Sequence, residues 1–231
     1  MIDIIKSSLF FGAVISLLSY EVGLQLKKKF KTAILNPLLI SVIITIAVVL
    51  ILDIDYDSYY EGAKYISYFL TPATVCLAIS LYEKLSLLKK NPLAIFGGIL
   101  SGALASMTSI FLMSLLFGLS RKEYVTLLPK SITTAIGMGV SEELGGYVSV
   151  TAAVIIITGI IGNVFADIVF KIFKIKEPVA KGVALGTASH AIGTSKAMEM
   201  GETEGAMGSL SIVTSGLITV IFASLFSMLI K

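Results

Sequence analysis

Residues 186–196 read Gly-Thr-Ala-Ser-His-Ala-Ile-Gly-Thr-Ser-Lys. The stretch holds the chain's one histidine, His190, and the hydroxyls of Thr187, Ser189, Thr194 and Ser195, and it ends on Lys196. It lies between strongly apolar segments. Polar groups at membrane depth persist only where protein or a water-filled cavity surrounds them. The stretch is therefore expected to form half of a solute site.

A second unusual stretch contains Thr71, Pro72, Ala73 and Thr74. Proline removes a backbone donor and pushes the residue before it away from helical angles. Thr71 can then cap a half-helix whose first position is Pro72. Two half-helix N-termini, at Thr71–Pro72 and Thr187–Ser189, would offer free N–H donors and positive dipole ends to an anion. Thr74, Ser189, Thr194 and Ser195 could add hydroxyl donors that select a substrate hydroxyl or keto oxygen.

Other residues are candidates for coupling or gating. His190 titrates near neutrality and could carry a proton, or it could only satisfy a helix contact. Lys196 is either a binding cation or the i, i+3 partner of Glu199. Asn163 and Asp167 share a helix face, and Asp167 is either functional within its span or interfacial beside Lys171 and Lys174. Glu142, next to Glu143, is a proton or cation site or a solvated loop end. Glu83, twelve residues beyond Thr71, joins this set. The exposed carboxylates Asp53, Asp55, Asp57 and Glu61 are expected in an external loop, which lacks the glycine and distal glutamate of an EF-hand.

The elements that must position these residues follow from composition. The chain has 231 residues, 56% of them hydrophobic and only 14% charged, with a mean hydropathy of +0.94. A soluble domain carries roughly 25% charge. A net charge of +3 is no nucleic-acid signature, and the one cysteine, Cys76, forms neither an intrachain disulfide nor a cysteine metal cluster. No nucleophile triad, phosphate loop or HExxH pair is present, so no enzyme, cofactor or metal site is expected. A bilayer span needs about 20 apolar residues. Charge-free runs at 32–52, 91–120, 144–166 and 205–230 satisfy that, and 7–26 and 65–82 come close.

The expected fold class is an all-α integral membrane protein, a single domain over 1–231, with about seven transmembrane helices and a re-entrant segment at 120–146. Discontinuous helices are expected near Thr71 and Thr187. Cationic blocks stay cytoplasmic. Placing both Lys27–Lys31 and Lys171–Lys181 inside leaves the N-terminus outside, the C-terminus inside, and Glu142, Glu202 and Glu204 outside. Gly98 and Gly102 give their helix a small-xxx-small packing face.

An inverted repeat follows from that topology, with 32–119 as one copy and 147–231 as the other. Thr71 to Glu83 and Thr187 to Glu199 are both steps of 12, and each leads into a long helix carrying Ser-Gly, at Ser101–Gly102 and Ser215–Gly216. Similar broken helices in opposite orientation mark many secondary transporters. Thr133-Thr134-Ala135 is a weaker third echo.

Residues 70–75 (Leu-Thr-Pro-Ala-Thr-Val), 128–134 (Leu-Pro-Lys-Ser-Ile-Thr-Thr), 141–146 (Ser-Glu-Glu-Leu-Gly-Gly) and 186–194 resemble the LrgB/CidB family over nearly the whole chain. Ala135 stands where that resemblance leads one to expect a proline. The resemblance implies a multi-pass protein of a bacterial-type cytoplasmic membrane. It implies a carrier of small monocarboxylates of the pyruvate or glycolate class. The alternative it implies is an antiholin-like regulator of murein hydrolase activity and autolysis, acting with a small LrgA/CidA-type holin-like membrane partner. The expected partners are thus a small carboxylate, the lipid bilayer, that holin-like protein or a second copy of the chain, and no nucleic acid.

Overall fold

The computed structural model describes residues 10–30, 35–69 and 92–230, with isolated positions between 70 and 91. The chain divides into two compact units, Met1–Cys76 and Leu77–Lys231. Every described element is helical, and three of these helices are long and apolar enough to cross a membrane.

The first unit contains α1 (Phe11–Phe30), α2 (Pro37–Ile51) and α3 (Tyr56–Ser67). The α1 helix ends on Lys27, Lys28 and Lys29, where cations suit the negative end of the dipole. Asn36 caps α2 by accepting from the backbone N–H groups of Leu38 and Leu39, with Pro37 in the first turn. Gly23 of α1 lies against the backbone of Pro37, so the helices meet at backbone distance. The acidic segment after α2, expected as a loop, is helical from Tyr56. Asp55 caps it by accepting from the N–H groups of Asp57 and Ser58, a cap that the run of acids and tyrosines concealed.

The second unit is built on three long helices: α4 (Pro92–Phe117), α7 (Val148–Ile172) and α9 (Glu202–Ser227). Between them lie the short helices α5 (Arg121–Leu127) and α6 (Thr134–Glu143), and α8 (Pro178–Met200). Leucines, isoleucines and phenylalanines stand exposed along the long helices, among them Leu112, Leu116, Ile157, Ile161, Phe165 and Leu217. Such a continuous apolar exterior fits hydrocarbon as its solvent.

The α5 and α6 helices form a hairpin. Ser120 and Glu123 make a reciprocal capping box where α5 begins. Beyond it, Tyr124 packs with Met107, Leu128 and Ala223, and its hydroxyl donates to the carbonyl of Phe226 near the end of α9 (3.0 Å). The turn at 128–133 reaches the middle of α4, where Ser131 and Ser106 hydroxyls are 2.7 Å apart. The chain then runs back along α7: Gly137 lies against Ile155, and Ser141 accepts from the Thr151 hydroxyl (2.7 Å). The hairpin accordingly dips halfway along the long helices and returns.

The α8 helix is a second hairpin. Ser189 (φ −135°, ψ 17°) and His190 (φ 43°, ψ −134°) leave helical geometry inside it. They divide it into limbs at 178–188 and 191–200. The limbs do not continue in one direction. Gly193 lies against the carbonyl of Leu185, and Leu185 clusters with Ala197. Twelve residues of straight helix would hold Leu185 and Ala197 about 18 Å apart. The first limb runs parallel to α9, Gly182 meeting Glu204 and Gly186 meeting Gly208, while the second runs antiparallel to it, Thr194 meeting Gly208 and Met198 meeting Gly205. Glycine at these positions lets backbones touch.

This reversal corrects the expected topology. Glu202 and Glu204 were expected on the opposite side from Lys171–Lys181. Because α8 folds back, Glu204 and Met200 share a basin with Lys171, Lys174, Lys176 and Lys181. The α9 helix then ends beside α5, at the end of the unit opposite those lysines.

Candidate functional site

The interruption expected near Thr187 is present, two residues further on, and it turns the chain rather than merely kinking it. Its turn is held against α7 by close fits. A Cβ on Gly162 would fall 1.7 Å from the Ser189 hydroxyl, and one on Gly159 would fall 2.7 Å from the His190 ring. His190 Nε2 lies 2.9 Å from the Ile155 carbonyl. A carbonyl only accepts, so Nε2–H donates, which makes His190 a fastener of the turn. The side chain of the same Ile155 touches Gly137 of the first hairpin. One residue of α7 thus meets both hairpins.

Below the turn, the second limb runs parallel to α7 and is tied to it twice. Asn163 Nδ2 donates to the Ile192 carbonyl (3.2 Å), and Lys196 pairs with Asp167 (3.0 Å). Asn163, Asp167, His190 and Lys196 therefore converge on one helix interface. Lys196 pairs with Asp167 instead of the expected Glu199 because the hairpin lays the second limb along α7, while Asp167 also lines a basin with Lys171 and Lys174.

The hydroxyls divide. Thr187 and Thr194 are 5% and 0% exposed, and neither hydroxyl has a hydrogen-bond partner among the described residues. Leaving such a group unpaired costs roughly 1–3 kcal/mol. Ser195 is exposed on the far side of its limb, away from Thr194. Glu142 is exposed at the outer end of α6. Pro72 is helical and exposed, whereas Thr71, Ala73, Thr74 and Glu83 lie outside the described residues.

A groove of about 950 Å³ runs between α4 and the first limb of α8. Thr187 lines it together with Gly98, Gly102, Ser101, Ser106 and Ser109. Gly98 faces Val183 and Gly102 faces the Thr187 methyl, so the small-residue face packs the first limb and also forms the groove wall. The turn of the first hairpin contributes Lys130 and Ser131, with Lys130 Nζ donating to Ser131 Oγ (3.2 Å). Sequence reasoning missed Lys130, Ser131 and the α4 serines. The signal was available: Lys130-Ser131-Ile132-Thr133-Thr134 crowds one cation and three hydroxyls directly after a proline.

A sequence model described as the LrgB-like family matches residues 16–229. This chain belongs to the LrgB-like family. Named "Antiholin-like protein LrgB", proteins of Bacillus cereus strain B4264 and strain AH187 and of Bacillus anthracis strain CDC 684 / NRRL 3495 are each 36% identical to it over 218 residues. The alignments cover 94% of this chain and 95% of each relative. No solved structure gives a significant match. The family assignment and the three long apolar helices make this LrgB-like chain an all-helical membrane protein.

Proposed function

We propose that this chain is an antiholin-like membrane protein that acts with a small holin-like membrane partner to restrain murein hydrolase activity and autolysis. The supporting observation is the 36% identity, over nearly the full length of both chains, to proteins that bear that name. The test is co-expression of the tagged chain with a small holin-like protein. The two are expected to co-purify in mild detergent, and the pair is expected to slow autolysis. Separate elution together with unchanged lysis contradicts the reading.

A second reading is supported by the groove: secondary carriage of a small monocarboxylate. Paired hairpins that dip from opposite ends of the long helices, with a mainly apolar groove between α4 and one hairpin that carries a few hydroxyls, Lys130 and Glu177, suit alternating access about a midplane site. In this reading Thr187 lines the path. Ser189, His190 and Thr194 shape the second turn, and Asp167, Asn163 and Lys196 latch its second limb. Uptake of labelled pyruvate and glycolate into proteoliposomes, with and without a holin-like partner, tests it; absence of uptake under both conditions contradicts it.

In both readings the Lys171–Lys181 loop and the Lys27–Lys31 block face the cytoplasm, and α1 begins outside. In this proposed orientation both ends of α8 are cytoplasmic and α9 ends outside. In the carriage reading the opposed hairpins at 120–143 and 178–200 supply a pair of interruptions; the one expected at Thr71 lies outside the described residues.

A further inference from the structure

The carriage reading leaves open which group recognises the solute's charge, and the groove supplies one. Its lining contains two ionisable side chains, Lys130 and Glu177. They sit at different ends. Glu177 lies where α8 begins, at the end of the groove lined by Ala94 of α4. Lys130 and Ser131 lie beside Ser106 and Ser109. From Ala94 to Ser106 is twelve residues, about 18 Å of helix.

Lys130 enters no ion pair within 4.0 Å among the described residues; its ammonium donates only to the Ser131 hydroxyl, which in turn meets Ser106. Gly102, one turn back along α4 from Ser106, lies against Thr187. The Thr187 hydroxyl is buried and unpartnered. Through Ser131, the Lys130 cation is thus tied to Ser106, one helical turn along α4 (roughly 5.4 Å) from the point where the Thr187 methyl packs on Gly102. The α6 helix starts at Thr134, four residues beyond Lys130, and its positive end adds to the same side.

We propose that Lys130 is the charge-selecting group of this groove, holding the carboxylate of a small organic acid together with Ser131. This rests on the carriage reading and adds to it the residue that makes the path anion-selective. Glu177 at the far end repels the same solute, so the anion settles at the Lys130 end.

The test does not depend on transport. Ala105→Cys, on the groove wall, is introduced into a Cys76→Ala background and reacted with an anionic and a cationic methanethiosulfonate of similar size. With Lys130 the anionic reagent is expected to react faster. The ratio should fall about tenfold in Lys130→Gln and hold in Lys130→Arg, which also controls for folding. Pyruvate and glycolate should protect the cysteine in the parent and lose that protection in Lys130→Gln. An unchanged rate ratio in Lys130→Gln overturns the proposal, as does protection independent of Lys130 or no protection in the parent. Protection as described without uptake into vesicles leaves the site standing and removes the carriage reading.

Discussion

Gly193 sits against the carbonyl of Leu185, eight positions earlier: a Cβ there would fall 2.3 Å from that oxygen and 2.6 Å from Ser189 Cβ. A straight helix would separate the two residues by about 12 Å. Their contact is the closure of the second hairpin, and everything that α7 and α9 hold follows from it.

Replacing Gly193 by Val should therefore open the hairpin. Backbone oxygen cannot yield as a side chain can, so the expected loss is at least the 1–3 kcal/mol of an overpacked core. The lowered melting temperature of the detergent-purified protein is the readout. Gly97→Ala is the control: nothing lies within 4 Å of its Cβ position, and alanine should raise helix stability by roughly 0.5–1 kcal/mol.

The fit of the turn on α7 makes a coupled pair. Gly162→Ala would place a methyl 1.7 Å from the Ser189 hydroxyl and should destabilise the protein. Ser189→Ala removes that oxygen, although Ser189 Cβ still lies 2.7 Å from the new methyl. The double variant should recover part of the loss, with a coupling of about 1 kcal/mol in a double-mutant cycle of thermal unfolding. Strict additivity would show that Ser189 does not dock on Gly162.

The Asp167–Lys196 pair should behave as a latch rather than a stability anchor. The Asp167 side chain is 58% exposed and that of Lys196 18%, so solvent screening holds the pair to under about 1 kcal/mol. Lys196→Asp is expected to free the second limb, read as faster amide exchange over 191–200. Adding Asp167→Lys should restore protection. Equal exchange in all three proteins would contradict the latch.

The first hairpin carries a pH-dependent cap. Glu123 receives the Ser120 hydroxyl and the Ser120 backbone N–H, both at 2.7 Å, and the hydroxyl contact is the larger cause holding its carboxyl below the usual carboxylate range. A depressed folded value means that the cap's contribution is fully present above the unfolded value and is lost as pH falls through the folded one. Amide protection at 121–124 should therefore decline only below about pH 4. Glu123→Gln should remove that acid dependence.

Much of this fold was legible in the chain. The runs at 91–120, 144–166 and 205–230 became α4, α7 and α9, because a charge-free stretch of bilayer length has one stable form in lipid. The hydroxyl-rich stretch around His190 marked a real break. The direction of the chain after that break was not legible. It depends on the positive φ of His190 and on glycines at 159, 162, 186, 193 and 208 finding one another across three helices. Periodicity describes one helix face at a time and carries no such pairing. For the same reason Lys130 was passed over. Its importance comes from Ser106 and Gly102 on α4, which lie 24 and 28 positions away in sequence, and not from its neighbours in the chain. The interruption expected at Thr71 lies outside the described residues; among them, a second hairpin turns at 128–133, next to the weaker Thr133–Thr134 echo.

The central claim is that α8 returns to the side from which it started. Single cysteines Lys181→Cys and Glu202→Cys, each in a Cys76→Ala background, can be treated with a membrane-impermeant maleimide in right-side-out and in inverted vesicles. Both positions are expected to react from the same face, the one reached in inverted vesicles. Labelling of the two from opposite faces would mean that α8 crosses the membrane, and would contradict the hairpin and the groove arrangement built on it.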